Sequence, residues 1–208
     1  MFKDRKDAGN QLAKLISRFK DNKNAIVVGI PRGGAVVAQE IAKQLRIPLF
    51  LILVKKISHP MNNEVAIGAV SLTDVLIENS EKYDNQWLSL EIEKKRNRIR
   101  EMMELYQIDP VPKVKDKIVF LVDDGIATGH TIQLSINELK KKESKKLNVV
   151  VPICPVSLKN KFENQVETLI SLYYPAYFHA IGEFYMSFNQ IEDEEVIHLL
   201  TENKIARG

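Results

Sequence analysis

The chain has 208 residues, 45% of them hydrophobic and 27% charged, which is enough apolar material for one large domain or a domain with a small appendage. Thirty Lys+Arg against 27 Asp+Glu leave a net charge of +3, too mild to imply a nucleic-acid partner. The single cysteine, Cys154, excludes an internal disulfide and fits a reducing compartment.

The opening MFKDRKDAGN is charged and has no apolar core, unlike a secretory signal. Residues 6–19 place Ala8, Leu12, Leu15, Ile16 and Phe19 at helical spacing. AIVVGI (25–30) is a short, β-branched, wholly apolar run, expected as a strand buried on both faces. GAVVAQEIAKQL (34–45) predicts a helix and PLFLILV (48–54) the next buried strand. Even the longest apolar run, IPLFLILV (47–54), is far too short to span a bilayer. AIGAVSL and DVLIEN (66–79) predict a hairpin turning at Thr73 and Asp74, and residues 86–107 a long charged helix. KIVFLV (117–122) reads as a buried strand and 129–142 as a helix ending in the lysine run 140–146. LNVVVPI (147–153) and VETLISLY (166–173) complete the strands. Alternating strands and helices with apolar strands predict α/β, a parallel-sheet core flanked by helices. A soluble cytoplasmic protein is expected.

In such sheets ligands bind beyond the carboxyl ends of the strands. Two segments there carry chemistry: GIPRGG (29–34) and DDGIATGHT (123–131). In the second, Gly125 and Gly129 permit close backbone approach, and Thr128 and Thr131 offer hydroxyl donors. At a helix N-terminus, Ala127 to Thr131 form a phosphate cradle. Asp123 and Asp124 need another partner, because carboxylates repel phosphate. Ionised carboxylates only accept hydrogen bonds, so a vicinal diol such as that of a ribose suits them. One aspartate is often a turn cap; two before a Gly/Thr loop at a strand end are less often so.

VFLVDDGIATGHT (119–131) resembles the phosphoribosyl-pyrophosphate (PRPP) signature of the type I phosphoribosyltransferases. FKDRKDAG, IVVGIPRGG, KKISHPMNNEVAIGAV, IGEFYMSF and IEDEEV extend the resemblance to a bacterial subgroup over most of the chain. His130 departs from the small residue usual at its position. The resemblance implies one domain over residues 1–208, with a helical insertion at about 80–112 and a small C-terminal hood at about 174–208. It implies that Asp123 and Asp124 hold the ribose hydroxyls, and that Gly125 and the loop Ala127, Thr128, Gly129, His130 and Thr131 hold the 5′-phosphate. Pro31, Arg32, Gly33 and Gly34 would bind pyrophosphate, with a cis Pro31–Arg32 peptide turning the Arg32 N–H toward it. Lys55 and Lys56, expected at the end of the second core strand, would face pyrophosphate, and SHPMNNE (58–64) would close over the site as a mobile loop. His59 and Glu64 in that loop carry no assigned role.

The implied reaction moves the phosphoribosyl group from PRPP to a nucleobase-like acceptor and releases pyrophosphate. Catalysis would be charge stabilisation by Arg32, Lys55, Lys56 and Mg²⁺ that arrives with PRPP, with no direct protein ligand to the metal. Cys154 is expected to pack rather than react. The acceptor is expected beside the aromatic segment 178–188 rather than beside the helix at 86–107, with Tyr185 as the stacking residue. PRPP and a small-molecule acceptor are the implied partners, a homodimer is allowed, and neither nucleic acid nor membrane is expected. A PRPP-binding regulator without turnover is the alternative. A receiver-like domain fits poorly, because the Gly/Thr loop directly follows Asp123. A P-loop kinase and a Rossmann dehydrogenase are excluded by the absence of G-x-x-x-x-G-K-[ST] and G-x-G-x-x-G.

Overall fold

The computed structural model describes residues 1–205, apart from the side chains of residues 63, 64 and 203–205. Its core is a five-stranded parallel sheet. The strands are β1 (Ala25–Gly29), β2 (Leu49–Leu51), β6 (Ile118–Val122), β7 (Lys146–Ile153) and β8 (Thr168–Tyr173), in the order β2-β1-β6-β7-β8. The apolar runs follow from coverage on both faces. Ala25 and Val27 of β1 and Phe120 and Val122 of β6 meet one layer. That layer is α1 (Arg5–Leu15) and α2 (Gly33–Leu45), through Leu12, Val37 and Ile41. Their neighbours Ile26, Val28, Val119 and Leu121 meet α4 (His130–Lys141) and α5 (Val156–Glu163) on the other face, through Ile132, Ile136 and Phe162. With side chains alternating across the sheet, the central strands β1 and β6 must be apolar throughout to serve both layers.

A smaller antiparallel sheet, β3 (Lys55–His59), β4 (Asn62–Val70) and β5 (Val75–Ile77), stands beside this core. Val70 pairs with Val75, so β4 and β5 form the expected hairpin around Thr73 and Asp74. Two expectations change here. The apolar run 48–54 contributes only three residues to the parallel sheet; Ile52, Leu53 and Val54 are buried but lead away from it. Lys55 and Lys56 therefore begin β3 rather than end a core strand. Residues 58–64 belong to the β3–β4 hairpin, with Pro60 and Met61 at its tip, and do not form an irregular loop. The side chain of Glu64 lies outside the described residues.

Helix α3 (Asn85–Tyr106) opens on Asp84, whose carboxylate accepts from the Trp87 N–H at 2.7 Å. One part of it, Trp87, Leu88 and Ile92, packs on the small sheet. Its last turns pack Ile99, Met102 and Tyr106 with Leu53 and with Val196 of the closing helix α6 (Asp193–Ile205). No described helix is long and apolar enough to cross a membrane.

Candidate active site

From β1 the chain goes first to β2 on one side and much later to β6 on the other. The carboxyl ends of β1 and β6 therefore flank a topological switch point, where α/β sheets open a crevice for ligands. GIPRGG leaves β1 and DDGIATGHT leaves β6 at this point. The two loops touch. A Cβ on Gly33 would lie 2.0 Å from Oδ2 of Asp124, and one on Gly34 would lie 2.7 Å from Oδ1 of Asp123. No side chain fits between the loops, which explains the glycine pair. The Pro31–Arg32 peptide is cis, as expected.

The second loop reaches α4 through Gly129, whose φ of 82° is the left-handed conformation that favours glycine. Ala127 and Thr128 are exposed, and Thr131 is half-buried. With Asp123, Asp124 and Gly125 they line a cavity of about 190 Å³, completed by Lys56 and Ile181. His130 also lines this cavity, with its side chain buried. It is 3% exposed, its Nδ1 lies 2.8 Å from Thr128 Oγ1, and its Nε2 lies 3.3 Å from a carboxylate oxygen of Glu78 without making a hydrogen bond. Burial lowers its pKa, against the upward pull of Glu78, so it supplies a neutral buttress under the loop.

The acidic pair is sunk into the protein. Burial pushes the Asp123 carboxyl well above its ordinary range, and the neighbouring Asp124 adds to the shift. Burial also raises Asp124, while Arg5 pulls it back down. Arg5 is the site residue that sequence reasoning missed. Its Nε donates to Asp124 Oδ2 at 2.7 Å, and its Nη1 donates to the Asn189 carbonyl at 2.8 Å. Its guanidinium carbon lies 3.8 Å from the centre of the Phe188 ring. The motif FKDRKDAG is thereby tied to the acidic pair, with Asp4 capping the helix that carries Arg5.

Tyr185 does not stand where a base could stack on it. It is 6% exposed and packs with Phe2, Ala8 and Ile153. Its hydroxyl donates to the Asp124 carbonyl at 2.8 Å, anchoring the acidic turn from beneath. Its ring is thus core, and only its hydroxyl serves the site, on the backbone of the acidic turn.

The cations expected at the pyrophosphate loop lie in different settings. Arg32 Nη1 lies 3.1 Å from Glu192 Oε2. Lys55 is half-buried, and burial together with Arg98 and Arg32 lowers its pKa to about 8. Lys56 is exposed at the rim of the loop cavity. His59 sits edge-on to Tyr83 at 5.8 Å and accepts from the Met61 N–H at 3.2 Å. Cys154 is buried and its thiol is pushed up to about 11, in keeping with packing rather than nucleophilic work. Among the described residues no group of three or more metal-ligating side chains converges.

A five-stranded parallel sheet, helices on both faces and two touching loops at its switch point define an α/β protein of the type I phosphoribosyltransferase-like fold. The family model for the phosphoribosyl transferase domain matches residues 2–170, and the chain belongs to that family. The matched span contains Arg5 and both loops. A Mycobacterium tuberculosis protein named Putative phosphoribosyl transferase Rv0571c is 32% identical over 212 residues, covering 96% of this chain and 46% of its own length. The chain thus spans about half the length of the curated relatives it matches. The crystal structure of TT1426 from Thermus thermophilus is 31% identical, with a TM-score of 0.77 over 97% of this chain and 98% of the other.

Proposed function

We propose that the protein transfers the phosphoribosyl group of PRPP to a nucleobase-like acceptor and releases pyrophosphate. The observation that carries this reading is the contact between the loops, with Gly33 and Gly34 against Asp124 and Asp123. It brings the glycine turn against the carboxylate pair, which supports reading the turn as anion-binding, the pair as diol-accepting and the loop a few residues on as a phosphate cradle. PRPP presents pyrophosphate, diol and 5′-phosphate in that order along one sugar.

Each group then has a role. Asp123 and Asp124 accept from the ribose 2′- and 3′-hydroxyls. The backbone N–H groups from Ala127 to Thr131, at the N-terminus of α4, donate to the 5′-phosphate. Gly125, Thr128 and Gly129 let the backbone approach it closely. Pro31, Arg32, Gly33 and Gly34 hold pyrophosphate, with Lys55 and Lys56 adding positive charge. Mg²⁺, when bound with PRPP, neutralises part of the leaving group's charge. Bond breaking at C1 leaves positive charge on the sugar and negative charge on pyrophosphate, so Arg32 and the lysines favour the transition state electrostatically. The acceptor reaches C1 from the side of residues 178–188, where Ile181 borders the loop cavity. A reducing, cytoplasmic setting suits the single unpaired cysteine.

The test is calorimetry with PRPP and Mg²⁺, followed by a panel of bases assayed for pyrophosphate release. Binding of PRPP by the wild type and its loss in Asp123→Asn/Asp124→Asn supports the reading. Equal PRPP affinity in the double variant refutes it.

A further inference from the structure

Helix α3 looks in sequence like a solvated rod, yet one of its arginines is drawn inward. Arg98 pairs through Nη2 with Asp193 at the start of α6, and Asp193 also accepts from the Tyr106 hydroxyl. The preceding residue, Glu192, is the partner of Arg32. Two adjacent carboxylates therefore bring an arginine of the pyrophosphate loop and an arginine of α3 to one place. Lys55 belongs to the same group, since the charges of Arg98, Arg32 and Asp193 all act on its ammonium. Three segments distant in sequence thus deliver three cations to a region that also holds the GIPRGG turn.

Three cations at one spot repel one another unless an anion sits among them. Here the anions are carboxylates, of which Asp193 is 15% exposed and also held by Tyr106, while Glu192 is held loosely. The Arg32 and Glu192 side chains are 29% and 54% exposed, and the other Arg98 bond, to Glu101 at 2.9 Å, is also exposed. Exposed pairs of this kind exchange readily. Pyrophosphate carries more charge than a carboxylate and more acceptor oxygens in a form that suits the guanidinium fork.

We propose that Arg98 is a pyrophosphate-binding residue alongside Arg32 and Lys55, and that Glu192 is the counter-ion pyrophosphate displaces while Asp193 keeps Arg98 in place. The proposal rests on the PRPP reading and adds to it. It gives the charged helix α3 a part in the site. It also makes the start of α6 sense whether the pyrophosphate subsite is filled, because Glu192 loses Arg32 when the ligand binds.

The experiment titrates wild type, Arg98→Gln and Glu192→Gln with magnesium pyrophosphate, and separately with ribose 5-phosphate. Arg98→Gln is expected to weaken pyrophosphate at least about tenfold and to leave ribose 5-phosphate unchanged. Glu192→Gln, which removes a competing anion, is expected to tighten pyrophosphate about threefold. Unchanged ribose 5-phosphate affinity also shows that Arg98→Gln is folded; if that variant does not fold, Glu192→Gln decides. Wild-type pyrophosphate affinity in Arg98→Gln, or unchanged or weaker affinity in Glu192→Gln, overturns the proposal. A wild type that binds neither ligand would instead overturn the PRPP reading beneath it.

Discussion

Replacing Arg5 by methionine separates a structural role from a functional one. The Arg5–Asp124 pair is 2.7 Å long, with side chains only 9% and 13% exposed, so it counts as buried. Removing one partner of a buried pair costs about 3–5 kcal/mol, because the other charge stays behind unpaired. The lower end applies here, since Asp124 can relieve the penalty by taking up a proton. For a chain of this size, about 3 kcal/mol lowers the melting temperature by about 6–12 °C. Direction with pH adds a sharper test. Arg5 favours only the ionised form of Asp124, so its contribution is present above the Asp124 titration and fades as pH falls through it. The gap between wild type and Arg5→Met should therefore be widest in mild alkali and narrow towards acid. Without Arg5, Asp124 titrates at higher pH. PRPP affinity, which needs the carboxylate as acceptor, should then fall in the variant at a pH where the wild type still binds. The assay is a melt series and a PRPP titration series over the same pH values. An equal melting deficit at every pH, with parallel affinity profiles, would show that Arg5 only fills space and that the reasoning is wrong.

Asp123→Asn should melt higher than wild type in mild alkali while losing PRPP affinity. The fold favours protonated Asp123, so wild-type stability is lost as pH rises through its raised pKa; asparagine escapes that loss, and the gain should shrink as pH falls. Lys55, lowered to about 8 by burial, Arg98 and Arg32 and raised only by Asp193, should take up a proton when pyrophosphate binds at about pH 9. Calorimetry in buffers of different ionisation enthalpy measures this uptake. It should be smaller in Lys55→Arg, and equal uptake in the two proteins would remove Lys55 from the subsite.

The parts of the fold that sequence reveals are those decided locally. β1 and β6 are apolar at every position because they serve two layers, and the glycines and hydroxyls after them mark the loops. The error at 48–54 shows the limit of that signal. Burial made the whole run apolar, but the backbone leaves the sheet after Leu51: the Leu53 N–H donates to the Pro110 carbonyl at 2.8 Å, on the segment after α3. Hydropathy records burial, not pairing. Helix α6 escaped notice for the opposite reason. It begins with acidic residues, and Val196 is its one wholly buried hydrophobic side chain among those described, so its periodicity is weak.

What sequence could not show at the site are contacts made across the chain. Arg5 meets Asp124 from 119 residues away, Arg32 meets Glu192 from 160, and Arg98 meets Asp193 from 95. Arg5, Arg98, Glu192 and Asp193, each seen in its own segment, read as solvated surface. Tyr185 misled in the same way, since its ring is core and only its hydroxyl serves the site. These contacts share a logic. The region of the switch point concentrates like charges, the carboxylates Asp123 and Asp124 on one side and the cations Arg32, Lys55 and Arg98 on the other, and each set is unstable alone. Both ends of the chain supply the opposite charge: Arg5 holds the carboxylates, and Glu192 with Asp193 holds the cations. On the proposed reading the buried Arg5 bond persists when the ligand binds, whereas the exposed Glu192 bond yields. That difference in burial is what distinguishes a support for the site from the gate proposed on it.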